Sequence, residues 1–339
     1  VSQRSLTTPR LFGLGLLIVL CIAALYSSLA FGSRSVSSTE LWTTLLSRDP
    51  ESAAYNTVWL SRVPRTLIIL VAGVALGVSG AVMHAVTRNP LTDPGILGVN
   101  SGASFAVVLG IVAFNANAIS DYRWFALIGA LLTSLVVFIV GSYSPRGGRR
   151  DDPIRLTLTG VAFGAVLTGM TTILLLTNST AYFAMRGWAA GTTAQRPTEA
   201  ALEVAPLIIM GLLLAALSWR GLDAMALGEP TAIALGFNPG RIRLVALCCI
   251  ALLAGGATAA AGPIAFVGLL TAHLARAIIG PHQGWITAYA LVAAPLILAI
   301  ADVLGRVLSE GEIPVGVVTP ILGAPLLVFI ARRMRVIST

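Results

Sequence analysis

Three groups of residues in this 339-residue chain have the types and spacing to do chemistry, and none is arranged for covalent work. Arg62 and Arg65 stand three apart at the head of an apolar run, a spacing that puts both guanidiniums on one helix face and leaves them available to an acidic partner. Arg306 closes the segment ADVLGR, with Asp302 four residues earlier, where the two can pair along a helix and Asp302 can orient Arg306. The second group is Leu227, Gly228, Glu229, Pro230, Thr231, Ala232, Ala234, Leu235 and Gly236. There Pro230 suits the first turn of a short helix and Gly236 its end. The third is Thr177, Asn178, Ser179 and Thr180, four consecutive neutral polar side chains closing an apolar run. Such groups can line a wet constriction without holding a passing solute tightly. A plainer role competes in each place: Arg62 and Arg65 anchor a helix end, Glu229 favours a helix start, and the polar quartet caps a loop.

Other chemistries lack their residues. The chain has no lysine, so it carries no P-loop, whose Lys must reach the nucleotide phosphates. If ATP drives this protein, another subunit hydrolyses it. His84, His273 and His282 lie on separate segments without metal-ligand spacing, and Cys21, Cys248 and Cys249 sit inside apolar runs as small hydrophobes. No metal, no resident cofactor and no enzyme activity are expected.

The elements that must position these groups are membrane helices. Hydrophobic residues make up 56% of the chain and charged residues 11%, less than half the charged share of about 25% in soluble domains. The mean hydropathy is +0.88. A ruler of about 20 apolar residues per crossing reads ten spans: 11–31, 66–86, 96–114, 124–141, 156–177, 201–218, 244–261, 262–279, 285–305 and 315–330. The first exceeds a signal-peptide core although Ser28-Leu29-Ala30 resembles a cleavage site, so it is read as a retained helix. Residues 1–10 form a head, 11–333 a single transmembrane domain with the segment 226–238 cytoplasmic, and 334–339 a tail. The net charge of +8 comes from arginines at span ends. Arg146, Arg149, Arg150 and Arg155 share one short loop, which by the positive-inside rule faces the cytoplasm together with both termini.

Two spans are interrupted, at RNPLTDPG after span two and at GPIAFVG after span seven. Backbone that leaves the helix at membrane depth survives only against protein or a water-filled cavity, so a pathway through the bilayer is expected there. The faint likeness of the two regions suggests an inverted repeat. Gly73 and Gly77, and Gly160 and Gly164, allow close helix approach.

The segments RVPRT, RNPLTDPGILGVNSGA, LGEPTAIALG, GPIAFVGLLTAHLAR, ADVLGR and IPVGVVTPILGAPLLVFIARR, in this order and spacing, resemble the FecCD family. These are permease subunits of bacterial ABC importers for ferric siderophores, haem and vitamin B12. The resemblance implies an all-α polytopic membrane protein of about ten helices, with the ABC importer permease fold of the large (type II) class, in the inner membrane. It implies a second permease subunit, identical or paralogous, two ATPase subunits carrying ATP and Mg, and an extracytoplasmic substrate-binding protein. In similar permeases the residues matching Arg62, Arg65 and Arg306 receive glutamates of the binding protein. The segment Leu227 to Gly236 matches the helix seated in a groove of the ATPase, and Asn178 and Ser179 match gate positions. Ala272 departs from the family's usual proline, which bears on the bend of span eight. A gradient-driven carrier competes with this reading and would need ionisable groups in mid-membrane. Only Asp93 and Asp302 approach that description.

Overall fold

The computed structural model describes residues 4–32, 36–89, 92–116, 119–142, 153–309 and 311–337, and every regular element among them is helical. In chain order these are α1 (Arg4–Ala30), α2 (Ser38–Ser47), α3 (Tyr55–Thr57), a π turn (Val58–Arg62), α4 (Val63–Thr87), a 3-10 turn (Pro94–Leu97), α5 (Val99–Phe114), α6 (Ile119–Ser142) and α7 (Pro153–Thr177). There follow α8 (Ser179–Trp188), α9 (Thr198–Ala226), α10 (Glu229–Ala234), α11 (Pro239–Ala261), α12 (Val267–Ile279), α13 (Gln283–Val307) and α14 (Val315–Ile337). Residues 143–152, with Arg146, Arg149 and Arg150, lie outside the described residues, as do the side chains of Arg332, Arg333 and Arg335.

Helices α1, α4, α5, α6, α7, α9, α11, α12, α13 and α14 coincide with the ten apolar runs. Seven are long and apolar enough to cross a bilayer, while α5, α12 and the apolar part of α14 fall short. The 16 residues of α5, at about 1.5 Å each, leave part of a 30 Å core to be spanned by other backbone. That backbone is the interrupted segment before it. Hydropathy marks where apolar side chains stop, not where the hydrogen-bond ladder stops, and the ends differ accordingly. Helix α9 continues through polar Arg220 and Asp223 to Ala226. Helix α11 starts at Pro239 because Asn238 caps it, accepting from the Arg241 N–H at 3.1 Å. Helix α12 begins only at Val267, since Gly262 and Phe266 hold positive φ of 79° and 71°. It then runs through Ala272 unbroken.

Helix α4 is the centre of the bundle, packed against α9, α11, α12 and α13. Its glycines make this possible: a Cβ on Gly73 would come within 2.6 Å of the Pro295 Cα on α13, and Gly80 lies directly on the backbone of Gly268 in α12. Without a hydrophobic drive between helices in lipid, such close van der Waals approach supplies the association energy. Gly160 and Gly164 do the same for α7, resting on Ile96 and Ser101. One apolar core extends from Ile68 of α4 to Val318 of α14.

Candidate functional site

At one end of the bundle α1, α4, α13 and two loops converge on Asp302, whose side chain is fully buried. Arg65 donates through Nε to both carboxylate oxygens, at 2.9 and 3.1 Å, and through Nη1 to Glu312 at 2.7 Å. Arg306 pairs with Asp302 at 2.8 Å one turn along α13, and Thr193 donates to it at 2.5 Å. Arg306 also donates to the carbonyls of Ser28 and Phe31, while Arg62 donates to those of Leu29 and Ala30, each at 2.7 Å. The last carbonyls of a helix lack partners within it and carry its negative dipole end. Two guanidiniums thus cap α1.

Spacing alone places Arg62 and Arg65 on one accessible face; the fold buries them, at 4% and 6% exposure, and sends them in different directions. The reason is local. The π turn that ends at Arg62 sets its side chain against the bare carbonyls of α1, and two carboxylates draw Arg65 the other way. Pairing of Asp302 with Arg306 follows the spacing as read. Asp302 and Glu312 together balance the charges of Arg65 and Arg306, so Asp302 is held as a fixed counter-ion.

At the same end, Arg196, in the loop between α8 and α9, is buried with no acceptor for its Nε. Burial first, and then the neighbouring Arg123, push its guanidinium down to about 10. Arg123 itself pairs with Glu203 at 3.2 Å.

The opposite end carries α10. Gly228 enters it at φ 110°, Pro230 occupies its first turn, and Gly236 leaves it at φ 83°, donating to the Ile233 carbonyl at 2.9 Å. Ala232 is buried, whereas Leu227, Ile233 and Leu235 are 59 to 70% exposed. Glu229 stands in the first turn of α10, where its charge favours the helix start, and forms an ion pair with Arg243 of α11. Nearby, His282 stacks on Trp219 with ring centres 5.4 Å apart and approaches Asp223 at 3.6 Å while its side chain stays partly exposed. His84 faces His273 edge-on, at 5.4 Å between ring centres, in the contact of α4 with α12.

Between the two ends lies a cavity of about 720 Å³ lined by parts of α5, α7, α8, α12 and α14. Both interrupted segments reach it, through Asp93, Gly95 and Ile96 on one side and Ala265 and Phe266 on the other. Irregular backbone here faces a cavity, as membrane solvation requires. Besides Asp93, the polar lining is Asn100, Ser101 and Ser104 of α5 with Thr168, Thr171 and Thr172 of α7. The three threonines donate to carbonyls one turn back, at 2.7 to 2.9 Å, so their oxygens remain as weak acceptors without a free donor. Asp93 accepts the Gly95 N–H at 2.8 Å, an Asx turn rather than an ion relay.

Thr177, Asn178, Ser179 and Thr180 are not among the lining residues. The Thr177 hydroxyl returns to Ile173 and Leu174, and Asn178 caps α8 by accepting the Ala181 N–H at 2.9 Å. The six neutral polar lining residues were not singled out by sequence reasoning, although a signal existed. Thr168, Thr171, Thr172 and Leu175 recur at i, i+3, i+4 and i+7, a single helix face, in a span that lipid contact alone would leave aliphatic.

The model of the FecCD transport family matches residues 17–333. The chain belongs to the FecCD transport family. Among FecCD relatives, the ferric enterobactin transport system permease protein FepD of Escherichia coli (strain K12) is 43% identical over 320 residues, covering 94% of each chain. The hemin transport system permease protein HmuU of Yersinia pestis is 34% identical, over 96% of this chain and 97% of its own length. In three dimensions the FecCD chain matches a metal-chelate type ABC transporter in an inward-facing conformation, with a TM-score of 0.79 and 28% identity. That match covers 95% of this chain and 98% of the other. The fold is therefore that of an ABC importer permease, and the family is one of transport proteins rather than enzymes.

Proposed function

We propose that this chain is one of two membrane subunits of an ATP-driven importer, and that a ferric siderophore or similar chelate passes through the cavity between α5, α7, α8 and α12. The observation that carries the proposal is the cavity itself: a space bounded by two broken helices, lined by backbone-satisfied hydroxyls, able to pass a large solute without trapping it. Relatives that carry ferric enterobactin and hemin support a chelated-iron cargo. Neither acid that a gradient-driven pump would need is placed as a relay, since Asp93 is held in a turn and Asp302, outside the cavity, is paired with two arginines.

The remaining parts take these places. A second permease subunit covers the exposed apolar faces of α7 and α14. Leu227, Ile233 and Leu235 of α10 seat in a groove on one of two ATPase subunits at the inner face, where both termini also lie. An extracytoplasmic binding protein delivers the chelate at the Asp302 end, exchanging a carboxylate with half-exposed Glu312 at Arg65 and approaching Arg62 and Arg306 beside it. Thr177 to Thr180 form the outer rim of the path, in the inner membrane of a bacterium.

The test is uptake of iron-labelled siderophore into proteoliposomes holding the chain with its ATPase and binding protein. ATP-dependent accumulation is expected, with hemin and cobalamin as competitors to separate the cargo classes. Uphill accumulation by the chain without its ATPase would refute the assignment.

A further inference from the structure

We infer that Arg88 is the positioning residue that ties the cavity's inner loop to the base of α10. The inference deepens the proposed function and rests on α10 as the seat of the ATPase. Arg88 ends α4 in the left-handed region, at φ 51°, a conformation that turns the chain sharply out of the helix and costs a non-glycine residue energy. From there its Nη2 donates to the Met225 carbonyl at 2.5 Å, 137 residues away in the chain. Met225 is fully buried in the last turn of α9, and its carbonyl also accepts the Gly228 N–H at 3.0 Å. One oxygen therefore holds both the turn into α10 and the side chain of the loop residue.

The contact has rigid structure on each side. On the α10 side, Glu229 pairs with Arg243 of α11, and the Phe237 N–H donates to the Ala232 carbonyl at 3.0 Å, so α10 is fixed at both ends. On the loop side, Thr87 and Thr92 join hydroxyls at 2.7 Å, and Thr92 donates to the Asn89 carbonyl at 2.8 Å. Thr92 is thereby tied to the end of α4. The next residues, Asp93, Gly95 and Ile96, are cavity lining. A displacement of α10 reaches the cavity rim through one guanidinium and two threonines, a contiguous path of the kind that can carry coupling between sites. A surface arginine serving only lipid head groups has no need of a buried carbonyl partner, nor of a strained backbone to reach it.

The experiment uses the assembled transporter in proteoliposomes, with uptake and ATP hydrolysis measured together. For Arg88→Ala, uptake per ATP hydrolysed should fall about five-fold or more, while hydrolysis stays within about two-fold, the scale of ordinary coupling energies. Arg88→Lys, whose ammonium can still reach a carbonyl, should restore most of the ratio. An unchanged ratio, or parallel loss of both activities, overturns the inference. A second measurement needs no cargo: spin labels at positions 96 and 233, on a chain with Cys21, Cys248 and Cys249 replaced. Arg88→Ala should broaden the distance distribution between loop and α10, and an identical distribution would also overturn the inference. If the wild-type complex imports no chelate, the functional reading fails while the label pair still decides the role of Arg88.

Discussion

Replacing Asp302 by asparagine should destabilise the chain with no partner present. The carboxylate lies within hydrogen-bonding distance of two guanidiniums and a hydroxyl, all buried. At an effective dielectric of about 20, each pair of unit charges some 4 Å apart contributes roughly 4 kcal/mol. Returning a carboxylate to solvent recovers several kcal/mol of that, and measured losses on breaking a buried pair are about 3 to 5 kcal/mol. Glu312 still serves Arg65, so the lower part of that range is expected, with Arg306 left the more exposed to the loss. In a chain of 339 residues a loss of this size lowers the unfolding midpoint by roughly 4 °C. The assay is thermal unfolding of the purified chain in detergent, followed by tryptophan fluorescence. Raising salt should change the result little, because screening acts weakly on buried pairs. In a cycle with Arg306→Met, the double variant should lose at least about 1 kcal/mol less than the sum of the singles. A midpoint shift under about 2 °C, or strict additivity, would refute the reasoning.

Glu312→Gln removes a half-exposed partner of Arg65 and should cost under about 1 kcal/mol of stability. If Arg65 receives the binding protein, capture in a pull-down should tighten, and weaker capture would count against docking at that residue. Thr168→Trp fills the cavity from α7 and should stop uptake without disturbing assembly with the ATPase; undiminished uptake would remove this cavity from the path. Arg196→Met removes a buried guanidinium whose Nε has no acceptor and should raise stability by about 1 kcal/mol. A lower midpoint would show that the native side chain is fully compensated.

The ten membrane helices were legible because a bilayer reduces helix recognition to length and apolarity, and because interrupted backbone leaves Pro and Gly behind in the text. The short elements were not. Helices α2 and α8 are each 10 residues long and lie outside any membrane ruler. The destination of a charged side chain was legible only when its partner was local, as with Asp302 and Arg306 four residues apart. Arg65 with Asp302 spans 237 residues and Arg88 with Met225 spans 137, separations that no helical periodicity encodes. Glu229 shows the intermediate case: its place at the start of α10 followed from Pro230 two positions into the segment, but its true partner, Arg243, is reached only because α11 folds back alongside.

The capping of α1 by Arg62 and Arg306 bears on how the chain is made. Helix α1 leaves the ribosome well before α13, and the guanidinium that binds the Ser28 carbonyl comes 278 residues later. Until then the C-terminal tip of α1 is only half fastened, and the charge balance around Asp302 closes only when Glu312 has emerged. Nascent chains halted before α13 should therefore leave that tip open to added protease, whereas finished ones should shield it.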